Sequence, residues 1–222
     1  MILKHVRGVL NTIICIKIIF ILLIIFILIA KDVLKKEVFE YDNYIYNFFV
    51  VHRNIVLNIF FIIITEFGSA EFLITIAISC IIFIKNKNYK ILIPINLASI
   101  ALINQILKRI FVRQRPNVFR LIEEKGFSFP SGHAMASTAF YGLLIILIFK
   151  NVKNKKIRNV LCILLSLLIL LIDVSRVYVG VHYASDVIAG TCLSASYLIV
   201  LTSVLKTRTI NEKEEKIEIT EE

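Results

Sequence analysis

The amino-acid sequence predicts an all-α fold, an integral membrane six-helix bundle with an interfacial helical segment between spans one and two. Hydrophobic residues make up 58% of the 222 residues and the mean hydropathy is +0.83, well above the values of soluble globular proteins. The apolar residues are gathered in runs close to the length of about 20 residues that a helix needs to cross a bilayer. A chain of this length suffices for one domain, so we expect a single membrane domain over 1–222.

Six apolar stretches are predicted to span the membrane. They lie at about 10–30, 69–84, 91–107, 131–149, 157–174 and 184–205. The first is longer than the apolar region of a signal peptide and lacks a small-residue cleavage site, so we expect a retained membrane helix.

The segment between the first two predicted spans, 31–68, is expected to be an outer connection along the membrane surface. It mixes charged residues with tyrosine and phenylalanine, and aromatic residues favour the lipid–water boundary. Its apolar run 55–65 is too short to span and is predicted to be interfacial or re-entrant. We interpret the connection as an anchoring surface segment, with a lid over a lipid entrance as the alternative.

The distribution of charge predicts the orientation in the membrane. The net charge of +10 falls mostly in short runs between apolar segments, which indicates membrane topology rather than nucleic-acid binding. Basic loops at 85–90 and 150–158, together with basic residues near both ends, predict cytoplasmic N- and C-termini. The residues 209–222 are then an acidic cytoplasmic tail.

The loop 108–130 opposes this topology. It is predicted to lie outside, yet it holds six Lys and Arg residues against two Glu residues, which the positive-inside rule disfavours. The first polar string, Lys108-(six residues)-Arg115-Pro116, begins at the end of the third predicted span and runs into this loop. A bound anion would offset these charges, because arginine forks and lysine ammonium groups match phosphate oxygens. An inverted topology is the alternative.

A second polar string, Pro130-Ser131-Gly132-His133, opens the fourth predicted span. Ser131 can cap the helix, and Gly132 allows an oxyanion to approach closely. The free N–H groups and the positive end of the helix dipole then face the ligand. A histidine at this place can donate a proton, whereas the alternative is an ordinary capped helix start.

A third string closes the fifth span and opens the sixth. Ser175 and Arg176 come at the end of one helix, and His182 and Asp186 share a face of the next because they are four residues apart. The carboxylate can fix the imidazole tautomer and raise its basicity, although an interfacial His–Asp pair is the alternative. The three strings fall on one membrane face, and their three cations, two histidines and one carboxylate suit cleavage of a phosphate ester.

These strings resemble the signatures of the type 2 phosphatidic acid phosphatase superfamily, which includes vanadium haloperoxidases. The resemblance covers about 69–205, with a signature core over 104–190. The matching residues are Lys108, Arg115, Pro116, Pro130, Ser131, Gly132, His133, Ser175, Arg176, His182 and Asp186.

The resemblance implies a role for each site residue. His182 would attack phosphorus and form a phosphohistidine, Asp186 would orient it, and His133 would protonate the leaving lipid oxygen. The groups that would hold the phosphoryl oxygens are Lys108, Arg115, Arg176, Ser131 and Gly132.

The activity implied is that of a metal-independent phosphatase at the outer face of the cell membrane. Candidate lipid substrates are undecaprenyl diphosphate, phosphatidylglycerophosphate and phosphatidic acid. A non-catalytic lipid-phosphate binder or transporter is the alternative, and a vanadate-dependent oxidase is a third reading that six spans argue against. The four cysteines lie within apolar runs and form no CxxC pair, so neither disulfides nor metal ligands are expected. No cofactor is implied, and the oligomeric state stays open.

Overall fold

The computed structural model describes the backbone of residues 2–35 and 39–221 and the side chains of residues 12–35 and 39–204. The described residues form eight α-helices and no strand, which confirms the predicted all-α class. The helices are α1 (Ile2–Leu34), α2 (Glu40–Val51), α3 (Ile55–Glu66), α4 (Ala70–Phe83), α5 (Lys87–Phe111), α6 (Gly132–Asn151), α7 (Lys155–Tyr178) and α8 (Ala184–Glu221). The acidic tail predicted at 209–222 thus continues α8 as far as Glu221. Its side chains are not among those that the structure describes.

Five of these helices are long and apolar enough to cross a membrane, namely α1, α5, α6, α7 and α8. The helices α3 and α4 pass the same test only as a pair, which is bent by 48° at its break. The predicted span 69–84 corresponds to α4 alone, and its 14 residues fall short of the roughly 20 needed to cross. A sixth span therefore requires α3, and so includes the run 55–65 that sequence reasoning assigned to the outer connection.

The outside of the bundle carries large apolar side chains. Phe20 on α1 is 65% exposed, Phe83 on α4 is 82% exposed and Ile163 on α7 is 66% exposed. Soluble monomers rarely expose contiguous apolar surface on this scale. Lipid tails are as apolar as leucine, so a bilayer is the solvent that suits this surface.

The helix α6 lies at the centre and packs against α4, α5, α7 and α8. Its buried face is rich in small residues such as Ala134, Ser137 and Ala139, which let neighbouring backbones approach closely in membrane helices. At Gly142 an added Cβ would lie 2.6 Å from Leu198 Cδ2 on α8. The main apolar core joins this helix to four others through Leu73, Ala77, Ile93, Phe140, Tyr141, Leu143, Leu147, Ile172 and Leu198.

The loop between α5 and α6 is tied to the turn between α7 and α8. The Leu121 amide donates to the Val179 carbonyl at 2.9 Å, and the Ser131 amide donates to the Asp186 carbonyl at 3.1 Å. These contacts hold the α5–α6 loop and the start of α6 against the end of α7 and the start of α8. All three polar strings of the sequence lie at this end of the bundle.

Candidate active site

The structure brings the predicted site residues into one cluster. Arg115 from the α5–α6 loop contacts His182 from the α7–α8 turn, with 2.9 Å between Nη1 and Nε2. Three cations, Arg115, Arg176 and Lys108, act electrostatically on His182. The convergence of the three strings therefore follows from the packing of α5 to α8 at one end of the bundle.

His182 is buried with a defined tautomer. An arginine side chain can donate hydrogen bonds but cannot accept them, so the Nε2 atom beside Arg115 holds a lone pair and Nδ1 carries the proton. Nδ1 lies 3.4 Å from Asp186 Oδ2. Burial, followed by the cations Arg115, Arg176 and Lys108, holds the pKa of His182 well below its ordinary value of 6.5. The ring is therefore neutral, with its unprotonated nitrogen on the side of the cations.

Asp186 is fully buried and is held by donors on both carboxylate oxygens. Oδ2 accepts from the Tyr183 amide at 2.9 Å and from the Ser128 hydroxyl. Oδ1 pairs with Arg113 Nη1 at 2.6 Å. This set of contacts keeps the carboxylate against the Nδ1 side of His182.

The carboxylate of Glu124 bridges the two arginines that were predicted to bind phosphate. Its Oε2 lies 3.5 Å from Arg115 Nη2, and its Oε1 accepts a hydrogen bond from Arg176 Nη2. Arg176 is 0% exposed and also donates to Thr65 Oγ1 at 2.6 Å, while its Nε has no partner among the described residues. Buried charges need counter-charges, and Glu124 supplies one here.

The start of α6 forms the second part of the cluster. Ser131 caps the helix as predicted, since its Oγ accepts from a backbone amide three residues on at 3.4 Å. Asn104 on α5 donates to the Pro130 carbonyl at 3.0 Å. A Cβ added to Gly132 would lie 3.9 Å from Lys108 Nζ, so the ammonium group stands beside the first turn. The first amides of a helix lack intrahelical acceptors and attract anions.

His133 follows in the same turn and is half-buried. It interacts electrostatically with Arg176, His182 and Lys108, so both predicted histidines belong to one cluster. The break between α3 and α4 packs on its ring, since a Cβ added to Gly68 would lie 3.1 Å from His133 Cδ2. The sequence analysis did not assign this break to the site.

Five further residues that contact the site were missed by sequence reasoning: Asp42, Thr65, Arg113, Glu124 and Ser128. A role for Glu124 could have been inferred from the sequence, because it is one of two acidic residues among six cations in its loop. No feature of the sequence pointed to Asp42, since it lies in the outer connection, 71 residues before the arginine that it contacts. Among the described side chains, no group of three or more His, Cys, Asp and Glu residues is arranged to hold a metal ion.

Sequence comparison identifies relatives of known name. The family model of the PAP2 superfamily matches residues 90–210. Phosphatidylglycerophosphatase B of Bacillus subtilis (strain 168) is 31% identical over 134 residues, which are 59% of this chain and 66% of that protein. Undecaprenyl-diphosphatase of Sulfolobus acidocaldarius is 30% identical over 146 residues, which are 63% of this chain and 66% of that protein. The matches thus span just under two thirds of the length of both relatives.

Solved structures share the fold. The crystal structure of a transmembrane PAP2-type phosphatidylglycerolphosphate phosphatase from Bacillus subtilis matches with a TM-score of 0.77 at 25% identity, covering 85% of this chain and 96% of that one. Aquifex aeolicus LpxE matches with a TM-score of 0.59 at 24% identity, covering 76% and 96%. These similarities and the five membrane-length helices indicate a multi-pass membrane protein. Because the family match covers more than half of the chain and includes all three polar strings, the chain belongs to the PAP2 superfamily.

Proposed function

We propose that this chain is a lipid phosphate phosphatase that cleaves a phosphate monoester or diphosphate through a phosphohistidine on His182. The observation that carries the proposal is the state of this residue. Its neutral ring faces Arg115 with an unprotonated nitrogen and backs onto the buried carboxylate of Asp186. Phosphoryl transfer depends mainly on positioning and charge stabilisation, and this cluster supplies both.

The proposed reaction has two steps. In the first, the His182 Nε2 lone pair forms a bond to phosphorus while the bond from phosphorus to the lipid oxygen breaks, and His133, as the imidazolium in the substrate complex, gives a proton to that oxygen and becomes neutral. In the second, water attacks the phosphohistidine as His133 takes a proton from the water, and inorganic phosphate leaves with His182 restored. Asp186 stays on the Nδ1 side of the ring, 3.4 Å from that nitrogen, and orients it throughout. General acid and base help of this kind contributes about 10²–10⁴-fold.

Substrate entry requires an exchange of partners at the arginines. Arg115 donates to the lone pair of His182, and Glu124 bridges Arg115 to Arg176. A phosphoryl group that binds both guanidinium groups takes the place of the Glu124 carboxylate and frees the Nε2 lone pair. Lys108 and the first amides of α6 hold the remaining oxygens. The three cations neutralise the phosphate, so the proposed reaction needs no metal ion.

The substrate is proposed to be a lipid because the cluster lies at the ends of membrane-length helices. The two curated relatives are named for phosphatidylglycerophosphate and undecaprenyl diphosphate. We propose these lipids, together with phosphatidic acid, as the candidate substrates, and we favour undecaprenyl diphosphate by analogy. In the bilayer we propose six spans, with the α3–α4 pair counted as one, α2 at the outer interface, the site at the outer face and both termini in the cytoplasm.

The first experiment is a phosphate-release assay on the three lipids in detergent with EDTA present. We expect release from at least one lipid by the wild-type protein and none above background by His182→Ala. Orthovanadate should still bind the variant in part, because the cations are retained. Full activity in His182→Ala would refute the assignment of the nucleophile, and binding without release by the wild type would favour the non-catalytic alternative.

A further inference from the structure

We propose that Asp42 and Arg113 are positioning residues that set the orientation and the effective charge of Asp186, and through it the nucleophilic strength of His182. The inference rests on the proposed function, since it assigns two more residues to the same reaction. Neither residue is among those that match the family signatures, and Asp42 lies on α2, in the outer connection.

Arg113 stands between two buried carboxylates. Its Nη2 lies 2.9 Å from Asp42 Oδ2 and its Nη1 lies 2.6 Å from Asp186 Oδ1, while the side chains of Arg113, Asp42 and Asp186 are 7%, 0% and 0% exposed. The Arg113 Cζ atom also lies over the Tyr183 ring, 4.3 Å from its centroid. Because arginine presents a rigid fork, the position of one carboxylate determines where the other can lie.

Asp42 also holds the first turn of α8, the helix that carries Asp186. Its Oδ1 accepts from the Ser185 amide at 2.8 Å and its Oδ2 accepts from the Ser185 hydroxyl at 2.5 Å. A carboxylate at a helix N-terminus satisfies free amides and complements the helix dipole. Asp42 therefore braces the residue next to Asp186 as well as its arginine partner.

The charge balance of this group affects the reaction. Two carboxylates and one guanidinium carry a net charge of −1, whereas Arg113 and Asp186 without Asp42 carry none. As His182 attacks phosphorus, positive charge develops on its ring, and a nearby negative charge lowers the energy of that state. Without Asp42, the full charge of Arg113 would offset that of Asp186. Burial strengthens these effects, because the local dielectric constant is low.

Most of the other charged and titratable groups around His182 are cations, which disfavour a positive charge on its ring. Those that act on it are Arg115 from the loop, Arg176 from α7, Lys108 from α5 and His133 from α6, with Asp186 from α8 as the carboxylate in contact. Glu124 acts at longer range through its two arginines. The Asp42–Arg113–Asp186 group is thus the main counterweight to the cations that bind phosphate.

The test is Asp42→Asn, which keeps the shape of the side chain and removes its charge. Hydrogen-bonding partners of metal-ligating histidines typically contribute about 10- to 100-fold; taking the same range for this nucleophile, we expect kcat to fall by about that factor while KM changes little. The acid limb of kcat/KM should also move to lower pH. Turnover needs the neutral His182 ring, and loss of a nearby negative charge disfavours the protonated ring, so its pKa falls further. Asp42→Glu should recover part of kcat.

The matched control is Asp32→Asn, which removes the same charge near the end of α1. Asp32 pairs with Lys35 at 3.2 Å, where the two side chains are 34% and 51% exposed, so kcat and the pH profile should stay at wild-type values. If the wild type releases no phosphate from any lipid, the proposed function fails. If the wild type is active and Asp42→Asn keeps both its kcat and its acid limb, the positioning inference fails. Should Asp42→Asn not fold, Arg113→Lys replaces it: lysine cannot bridge both carboxylates, and a wild-type kcat would overturn the inference.

Discussion

At the scale of single residues, Glu124 shows how the site accommodates its own positive charge. Its carboxylate contacts Arg115 and Arg176, the two guanidinium groups to which we assign the phosphoryl oxygens. A carboxylate and a phosphate compete for the same planar donors. Under the proposed function, Glu124 would act as an internal competitor that keeps the buried arginines paired until a phosphate binds.

We expect Glu124→Gln to bind phosphate analogues more tightly than the wild type. Loss of the competing charge leaves both arginines less satisfied, and hydrogen bonds to charged groups contribute about 1.5–3 kcal/mol. The inhibition constant for orthovanadate should fall by about tenfold or more, measured in the phosphate-release assay. Glu123→Gln is the matched control, because the adjacent side chain is exposed and should leave inhibition unchanged. Weaker inhibition of Glu124→Gln would contradict this role.

At the scale of secondary-structure elements, the break between α3 and α4 positions a helix junction against the site. The amide groups of Gly68 and Ser69 donate to carbonyls of α3 at 3.0 Å, and Ser69 then caps α4 by accepting from the Phe72 amide at 3.2 Å. A Cβ added to Gly68 would lie 2.7 Å from Ile172 Cγ2 as well as close to His133. Glycine at this position therefore lets the bent pair approach both α6 and α7.

We expect Gly68→Ala to lower kcat by about 10- to 100-fold, because small displacements of a catalytic group have effects of this size. The methyl group would push the break away or turn the His133 ring. Gly142→Ala is the control: it meets Leu198 Cδ2 at 2.6 Å, but inside the α6–α8 contact. It should lower the unfolding temperature while kcat per folded molecule is kept. Unchanged kcat in Gly68→Ala would show that the break does not position His133.

At the scale of the whole molecule, four helices bring their functional ends to one side. The opposite side carries the loops 85–90 and 150–158, whose basic residues predict the cytoplasm. The cations of the site are compensated within the fold by Asp42, Glu124 and Asp186. Internal pairing would allow this positively charged loop to lie on the proposed outer side against the general rule.

The proposed orientation predicts which positions a membrane-impermeant maleimide can reach in spheroplasts. Glu123→Cys, in the exposed part of the α5–α6 loop, should be labelled in intact spheroplasts. Lys153→Cys, exposed between α6 and α7, should be labelled only after lysis. The wild-type chain reports the background of the four native cysteines. The reverse pattern would establish the inverted topology that the sequence analysis kept as the alternative.

Much of the architecture follows from local patterns. Spans in α1, α5, α6, α7 and α8 were predicted because apolar runs of membrane length are a strong signal. The bent pair was not, since neither α3 nor α4 is long enough alone and the turn between them breaks the run. The cap at Ser131 was predictable because its pattern is local. The contact of Gly68 with His133 was not, because it joins different parts of the chain.

Composition and the spacing of polar strings suffice to predict a membrane protein with a phosphate-binding end, because hydropathy and helix periodicity act over short stretches. The partners of that end depend on how the helices pack. Asp42 meets Ser185 across 143 residues and Arg113 across 71, and Glu124 lies between Arg115 and Arg176. The tautomer of His182 likewise depends on a guanidinium that is distant in the chain. Such contacts follow from long-range packing, which no local period of the sequence encodes.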